Sequence, residues 1–262
     1  MIKEKMNGLV EIMMSFARNW WFDPFVASFS FGVATYIYWT EERKQGLSRQ
    51  CRRDDVWNNG FGPVTKSLAA YWVGLYILRE LKLLNPPNNG FIPDGLPVDG
   101  FDSLLYLLTE VISGIIAYDF YFFFIHWAFH ELPFFQSFRA MHKQHHIQLK
   151  CTVEARDVLN HSLADGSLQV LINIYVQRYN PWGAVKSRLA RAIHNVIVTW
   201  MLTESHTATP NLYVFRRWFI GVREHRLHHL GEHRGRYQQF FGYLDEAKER
   251  ITPHICCMFK FS

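Results

Sequence analysis

Three histidine clusters constrain this chain more tightly than any other feature. His126 and His130 form an HxxxH pair. His142, His145 and His146 form HxxHH, and His225, His228 and His229 form a second HxxHH. Residues three and four apart share one face of a helix. Each cluster therefore aims two or three imidazoles at one place. Neutral imidazole is a ligand for iron, zinc, copper or nickel. Eight imidazoles exceed what one ion takes, so the spacing argues for two metals. A single histidine is more often a surface or satisfied core residue. Two copies of HxxHH beside one HxxxH outweigh that reading for the clusters.

At 262 residues the chain is long enough for one sizeable domain. Apolar residues make up 49% of it, yet the mean hydropathy is only -0.09. That combination excludes a simple all-membrane protein and fits helical anchors carrying a polar half. Cys51, Cys151, Cys256 and Cys257 show no zinc or redox spacing and read as reduced thiols. The adjacent pair Cys256-Cys257 is a weak palmitoylation signal. The start of the chain reads as having no removable signal peptide.

Hydropathy and charge give an order of segments. Residues 6–19 place Met6, Leu9, Val10, Met13, Met14 and Phe16 at roughly helical spacing, as an interfacial helix or one covering the core. Residues 20–39 have the length and flanking aromatics of a first membrane span. Arg43, Lys44, Arg49, Arg52, Arg53 and Lys66 mark 41–66 as a cytosolic loop. Residues 67–84 read as a second, weaker span, interrupted by Arg79, Glu80 and Lys82. The stretch 85–103, rich in Pro, Gly and Asp, is a loop on the non-cytosolic side. Residues 104–125 form the third span, which brings the chain out at His126 on the cytosolic face. Glu110 and Asp119 lie inside it, and charged groups at that depth are usually functional. Asp119 lies two turns before His126 and is a candidate to orient that imidazole from behind. The alternative is a carboxylate that reaches water near the interface. Residues 166–176 and 192–203 are apolar runs too short to span, read as a membrane-dipping hairpin or a lid. His194, His233 and His254 read as structural.

From about Asp119 to about Asp245 the chain resembles the fatty acid hydroxylase/sterol desaturase superfamily of membrane non-haem di-iron oxygenases. An aromatic run from Tyr118 to Phe124 enters His126, and Met141-His142-Lys143-Gln144-His145-His146 follows closely. The family's HRxxH and HKxHH clusters are arranged similarly. The short gap separates this pattern from the related acyl-CoA desaturases. His161 stands where the family commonly has HPxE or HPLD. Here Ser162 replaces the proline, and Ala164, followed by Asp165, stands in place of the acid. His206, in Glu204-Ser205-His206-Thr207, stands where HSG or HDG is common. Gly235 to Asp245 is similar to the family's NYGxxFxxWD, with Leu244 in place of the tryptophan.

The resemblance implies an all-α integral membrane helical bundle with a cytosolic-facing, histidine-rich di-metal domain. Residues 1–103 would be membrane-anchoring helices and loops, and 104–262 the di-iron domain. It implies ten metal ligands: His126, His130, His142, His145, His146, His161, His206, His225, His228 and His229. Two iron ions and O2 would act on a lipid C–H bond, and no catalytic group separate from the ligands is needed. The cofactor carries that chemistry and the protein positions the lipid carbon. The chain has no cytochrome b5 domain and no dinucleotide fingerprint. Electrons would come from a partner such as cytochrome b5 with its reductase, at the endoplasmic reticulum membrane. Residues 139–262 hold most of the positive charge in a chain of net charge +5. That basic half fits anionic headgroups or an acidic electron donor, and no nucleic-acid module is present. A sterol desaturase or sterol oxidase leads a fatty-acyl or alkylglycerol hydroxylase. Two other readings stand beside these. One is a zinc hydrolase, which normally has three protein ligands and a nearby carboxylate base. The other is a catalytically silent protein that keeps its metal as a clip, given the departures at Ala164, Thr207 and Leu244.

Overall fold

The computed structural model describes residues 21–46, 62–81, 101–132, 134, 136–146, 155, 158, 163–183, 185–208, 220–229 and 235–258. These residues form helices, and the only β pairing among them is an isolated bridge between Tyr179 and Val185. The fold is all-α, as expected. In chain order the helices are α1 (Phe22–Lys44), α2 (Gly62–Glu80), α3 (Phe101–Glu131), α4 (Gln136–His146), α5 (Leu163–Arg178), α6 (Arg188–Glu204), α7 (Ile220–His229) and α8 (Tyr243–Met258).

Helix α3 is the axis of the molecule. It packs against α4, α5 and α6. Val111, Ile115, Tyr118 and Phe122 recur every three or four residues and are buried. They join Ile172 and Val176 of α5, Ala190, Val198 and Met201 of α6, Val222 of α7 and Phe240 in one core. The opposite face carries exposed Leu105, Leu108, Ile112, Ile116, Phe120 and Phe124. Leu104–Glu131 is long and apolar enough to cross a membrane, and no other helix among the described residues is. The expected third span thus exists, but the helix runs six residues beyond 125 and carries His126 and His130 in its last turns.

The other two expected spans are also helices, though neither is apolar enough to qualify. Helix α1 packs along α6, with Tyr38 against Trp200 and Asp23 paired with Arg191 at 3.1 Å, and its buried Ala27, Phe31, Ala34, Tyr38 and Glu42 recur at helical spacing. Gly46 ends it with φ 69, and its N–H bonds the Arg43 carbonyl, a left-handed cap that favours glycine. Trp72 Nε1 donates to Ser28 Oγ at 2.9 Å and ties α2 to α1.

Helices α5 and α6 follow one another across a short connection, and both contribute side chains to the core. Helix α5 packs against α2 and α3, and α6 packs against α1 and α3. Glu110 explains how the connection is held. Its carboxylate accepts from Ser187 Oγ at 2.7 Å, Asn180 Nδ2 at 2.9 Å and Ser187 N at 3.3 Å. The buried charge in α3 is a structural tie here. The expectation of a structural His194 agrees with its place: the ring is fully buried against Gly114, where a side chain would collide with it and with Lys186.

Candidate metal centre

Four elements bring the histidines together. His126 and His130 sit one turn apart at the end of α3, with ring centroids 4.9 Å apart. The chain then reverses. Arg139 of α4 donates to the carbonyls of Phe129 and His130, which lack helical N–H donors at a helix end. That folds α4 back so that His142, His145 and His146 meet α3. Helix α7 supplies His225, His228 and His229, and the turn after α6 supplies His206.

Among the described residues, eight of these histidines fall into two groups of four. One is His126, His130, His142 and His146; the other is His145, His206, His225 and His229. Within each group the ligand nitrogens all lie within 4.8 Å of one another. His228 is in neither set of four, but its ring centroid lies 4.8 Å from those of His126, His130 and His146. The groups adjoin: the rings of His146 and His229 stack at 4.5 Å. The spacing of HxxHH now has a reason. On α4 the i,i+4 pair His142 and His146 serves one group, and His145, turned about 100° from its neighbour, serves the other. On α7 the pair His225 and His229 serves the second group, while His228 turns to the first. Each HxxHH bridges both groups.

The outward nitrogens are held. His126 Nδ1 donates to the Tyr237 carbonyl at 2.9 Å, and His142 Nδ1 donates to Asp165 Oδ2 at 3.0 Å. His206 Nδ1 donates to the Leu202 carbonyl at 2.7 Å. These acceptors fix the proton on Nδ1 and leave the Nε2 lone pair facing inward. Inside, Nε2 atoms meet in pairs: His142 with His146 at 3.0 Å, His225 with His229 at 3.0 Å, and His145 with His206 at 3.2 Å. His126 Nε2 and His130 Nε2 are buried with no hydrogen-bond partner. Converging lone pairs repel unless a proton or a metal ion lies between them. Protons are disfavoured, because burial and neighbouring imidazoles hold His146, His225 and His229 well below the usual histidine pKa. The residues therefore fit a metal ion in each group, bound by neutral imidazole.

Asp119 does not contact His126. It is fully buried and accepts four hydrogen bonds from the 238–241 stretch. These come from Gln238 Nε2 at 2.6 Å, Phe240 N at 2.7 Å, Gln239 N at 3.0 Å and Phe241 N at 3.1 Å. The sequence distance was right for a helix, but seven residues place the carboxylate two turns away along α3. Asp245 holds the same stretch from its other side, accepting from Tyr237 N at 2.7 Å and Gln238 N at 3.0 Å. The two acids fix the backbone whose Tyr237 carbonyl takes His126. Burial raises the Asp245 pKa, and the two N–H bonds oppose that rise. Gly221 lets α7 meet this stretch: its N–H donates to the Phe240 carbonyl at 2.9 Å, and a Cβ would collide with Phe240 and Phe241.

Asp165, which holds His142, stands one position beyond the expected acid, so its signal was present but displaced. The Tyr237 and Leu202 carbonyls left no signal, since any residue has one. His161 and His233 lie outside the described residues. A cavity of about 320 Å³ between α3 and α5, lined by Ala117, Tyr121, Tyr175, Val176, Tyr179 and Asn180, touches none of the histidines.

A helical scaffold, one membrane-length helix and two adjoining imidazole groups define a class: helical, histidine-rich proteins built to hold metal. Residues 111–249, more than half of the chain, match the family described as Fatty acid hydroxylase, and the chain belongs to that family. Its membership makes the chain an oxidoreductase of the iron-using lipid oxygenase kind, associated with membranes. No curated protein and no solved structure matches it.

Proposed function

We propose that the chain is a non-haem di-iron oxidoreductase that uses O2 to oxidise a C–H bond of a membrane lipid. The observation that carries this reading is the pair of adjoining four-imidazole groups. His126, His130, His142 and His146, with His228 beside them, would hold one iron; His145, His206, His225 and His229 would hold the other. His161 remains a proposed additional ligand. The irons, when bound, supply the electrons and the O2 activation that C–H cleavage requires. The protein's own part is to keep each Nε2 deprotonated and aimed, through Asp165 and the Tyr237 and Leu202 carbonyls, and to exclude water by burial. Among the described residues, neither group of four contains a carboxylate ligand.

The substrate reading keeps a sterol ahead of a fatty-acyl or alkylglycerol lipid, on the motif resemblance. Residues 1–103 act as the anchoring part and 104–262 as the metal-bearing part. The enzyme works in the endoplasmic reticulum membrane as a multi-pass protein with its histidines on the cytosolic face. There cytochrome b5 and its reductase deliver electrons to the basic half.

The test is expression of the chain and of His225→Ala in yeast, with iron analysis of both purified proteins and mass spectrometry of total sterols and fatty acids. The expected result is a lipid two hydrogens lighter or one oxygen heavier, made only by the intact protein. An intact protein that is folded but holds no iron when purified from iron-supplied cells would sink the reading.

A further inference from the structure

The turn that carries His206 is bonded to a residue far outside the matched region 111–249. Glu42 lies in the last turn of α1 and is fully buried. Its Oε1 accepts from Thr207 Oγ1 at 2.6 Å, Ala208 N at 2.8 Å and Ala155 N at 3.1 Å. Thr207 and Ala208 directly follow His206. Arg226 of α7 holds the same two residues through their carbonyls, Nε to Thr207 O at 2.9 Å and Nη2 to Ala208 O at 3.3 Å. An acid from α1 and a base from α7 thus grip the turn between them. Gln239 Nε2 adds a third hold, donating to Ser205 Oγ at 2.8 Å.

His206 is the one member of its group that does not sit within a helix, so nothing in a helical repeat fixes its place. Its Nε2 must nevertheless meet three other imidazoles within 4.8 Å. We propose that Glu42 is a positioning residue for this group, acting through the Thr207–Ala208 backbone on His206. Helix α1 is then a working part of the metal centre as well as an anchor. The assignment rests on the two-metal reading above. It predicts an asymmetry, because the four histidines of the first group lie on α3 and α4, with His228 of α7 beside them and Asp165 behind, and none lies in the turn that Glu42 holds.

The experiment uses the full chain in detergent, loaded with iron, as wild type, Glu42→Ala and Thr207→Val. Iron per chain is measured by elemental analysis, affinity by chelator competition, and iron environment by Mössbauer spectroscopy. The expected wild type holds two irons. Glu42→Ala keeps one iron as tightly and binds the other about 10–100-fold more weakly, the usual cost of losing an outer partner. In the Glu42→Ala background, His142→Ala then removes the remaining iron and His225→Ala does not. Thr207→Val deletes one donor without changing shape, gives a smaller weakening of the same iron, and carries the test if Glu42→Ala does not fold. Two irons held at wild-type affinity in the folded variants overturn the assignment, as does equal weakening of both irons with helical content intact. A wild type without two irons overturns the two-metal reading itself, which separates that failure from this one.

Discussion

Asp165 shows how one side chain sets a ligand's direction. It accepts from His142 Nδ1, and its other oxygen takes Gln169 Nε2 at 3.2 Å, so the carboxylate is itself held in place. Asp165→Asn puts an amide where a pure acceptor stood and frees the imidazole to rotate. Binding of the iron in the first group is expected to weaken by about 10–100-fold, read by chelator competition. Unchanged affinity would mean that packing alone orients His142. Asp119 acts differently, because its loss leaves three buried N–H groups of 239–241 without an acceptor. Each buried donor left unsatisfied costs on the order of 1–3 kcal/mol. Asp119→Ala should therefore lower the thermal midpoint in detergent sharply and cost iron binding through the displaced Tyr237 carbonyl. A variant as stable as wild type would show that water replaces the carboxylate.

Helix α3 has two jobs, and its faces divide them. One face builds the core and ends in His126 and His130; the other presents Ile112 at 54% and Ile116 at 44% exposure. Apolar side chains that exposed, on a helix of this length, belong against lipid. In membranes, Ile112→Cys and Ile116→Cys are expected to resist a water-soluble maleimide, whereas Glu246→Cys on α8, also 54% exposed, reacts. Rates are taken above the background of the four native cysteines. Rapid labelling of the two α3 positions would place that face in water. The sequence located this helix from hydropathy but stopped it at 125, because polar His126 and His130 read as an exit from lipid. Tertiary contacts with α4 and α7 keep the helix going through them. The runs 166–176 and 192–203 lie in helices that reach the core, with Ile172 and Val176 in one and Val198 and Met201 in the other. Periodicity alone does not tell a membrane-dipping hairpin or a lid from a helix that sends side chains into the core.

For the molecule as a whole, the gathering of buried imidazoles makes stability depend on pH. His146, His225 and His229 have folded pKa values lowered below the ordinary value near 6.5. Below that value the unfolded chain binds protons that the folded chain does not. Stability is then present above about pH 6.5 and is lost as the pH falls further. Metal-stripped protein should melt at a clearly lower temperature at pH 5.5 than at pH 7.5, followed by circular dichroism. Equal midpoints would show that the imidazoles take up protons without unfolding.

The sequence by itself determined that imidazoles would gather, since spacings of three and four put His142 with His146 and His225 with His229 on single helix faces. It also determined the family and the central helix, because motif and hydropathy are local properties of the chain. The division of eight histidines into two groups of four, with His228 beside the first, was not local. It needed the angle at which α7 meets α4, which Gly221 and the 237–241 stretch set. The roles of Asp119, Asp245 and Glu42 were decided only by the tertiary structure, because each carboxylate accepts from backbone at least seven residues away and up to 166 away. A hydrogen bond to a backbone N–H leaves no mark on the identity of the donor residue, so no sequence pattern could have announced these contacts.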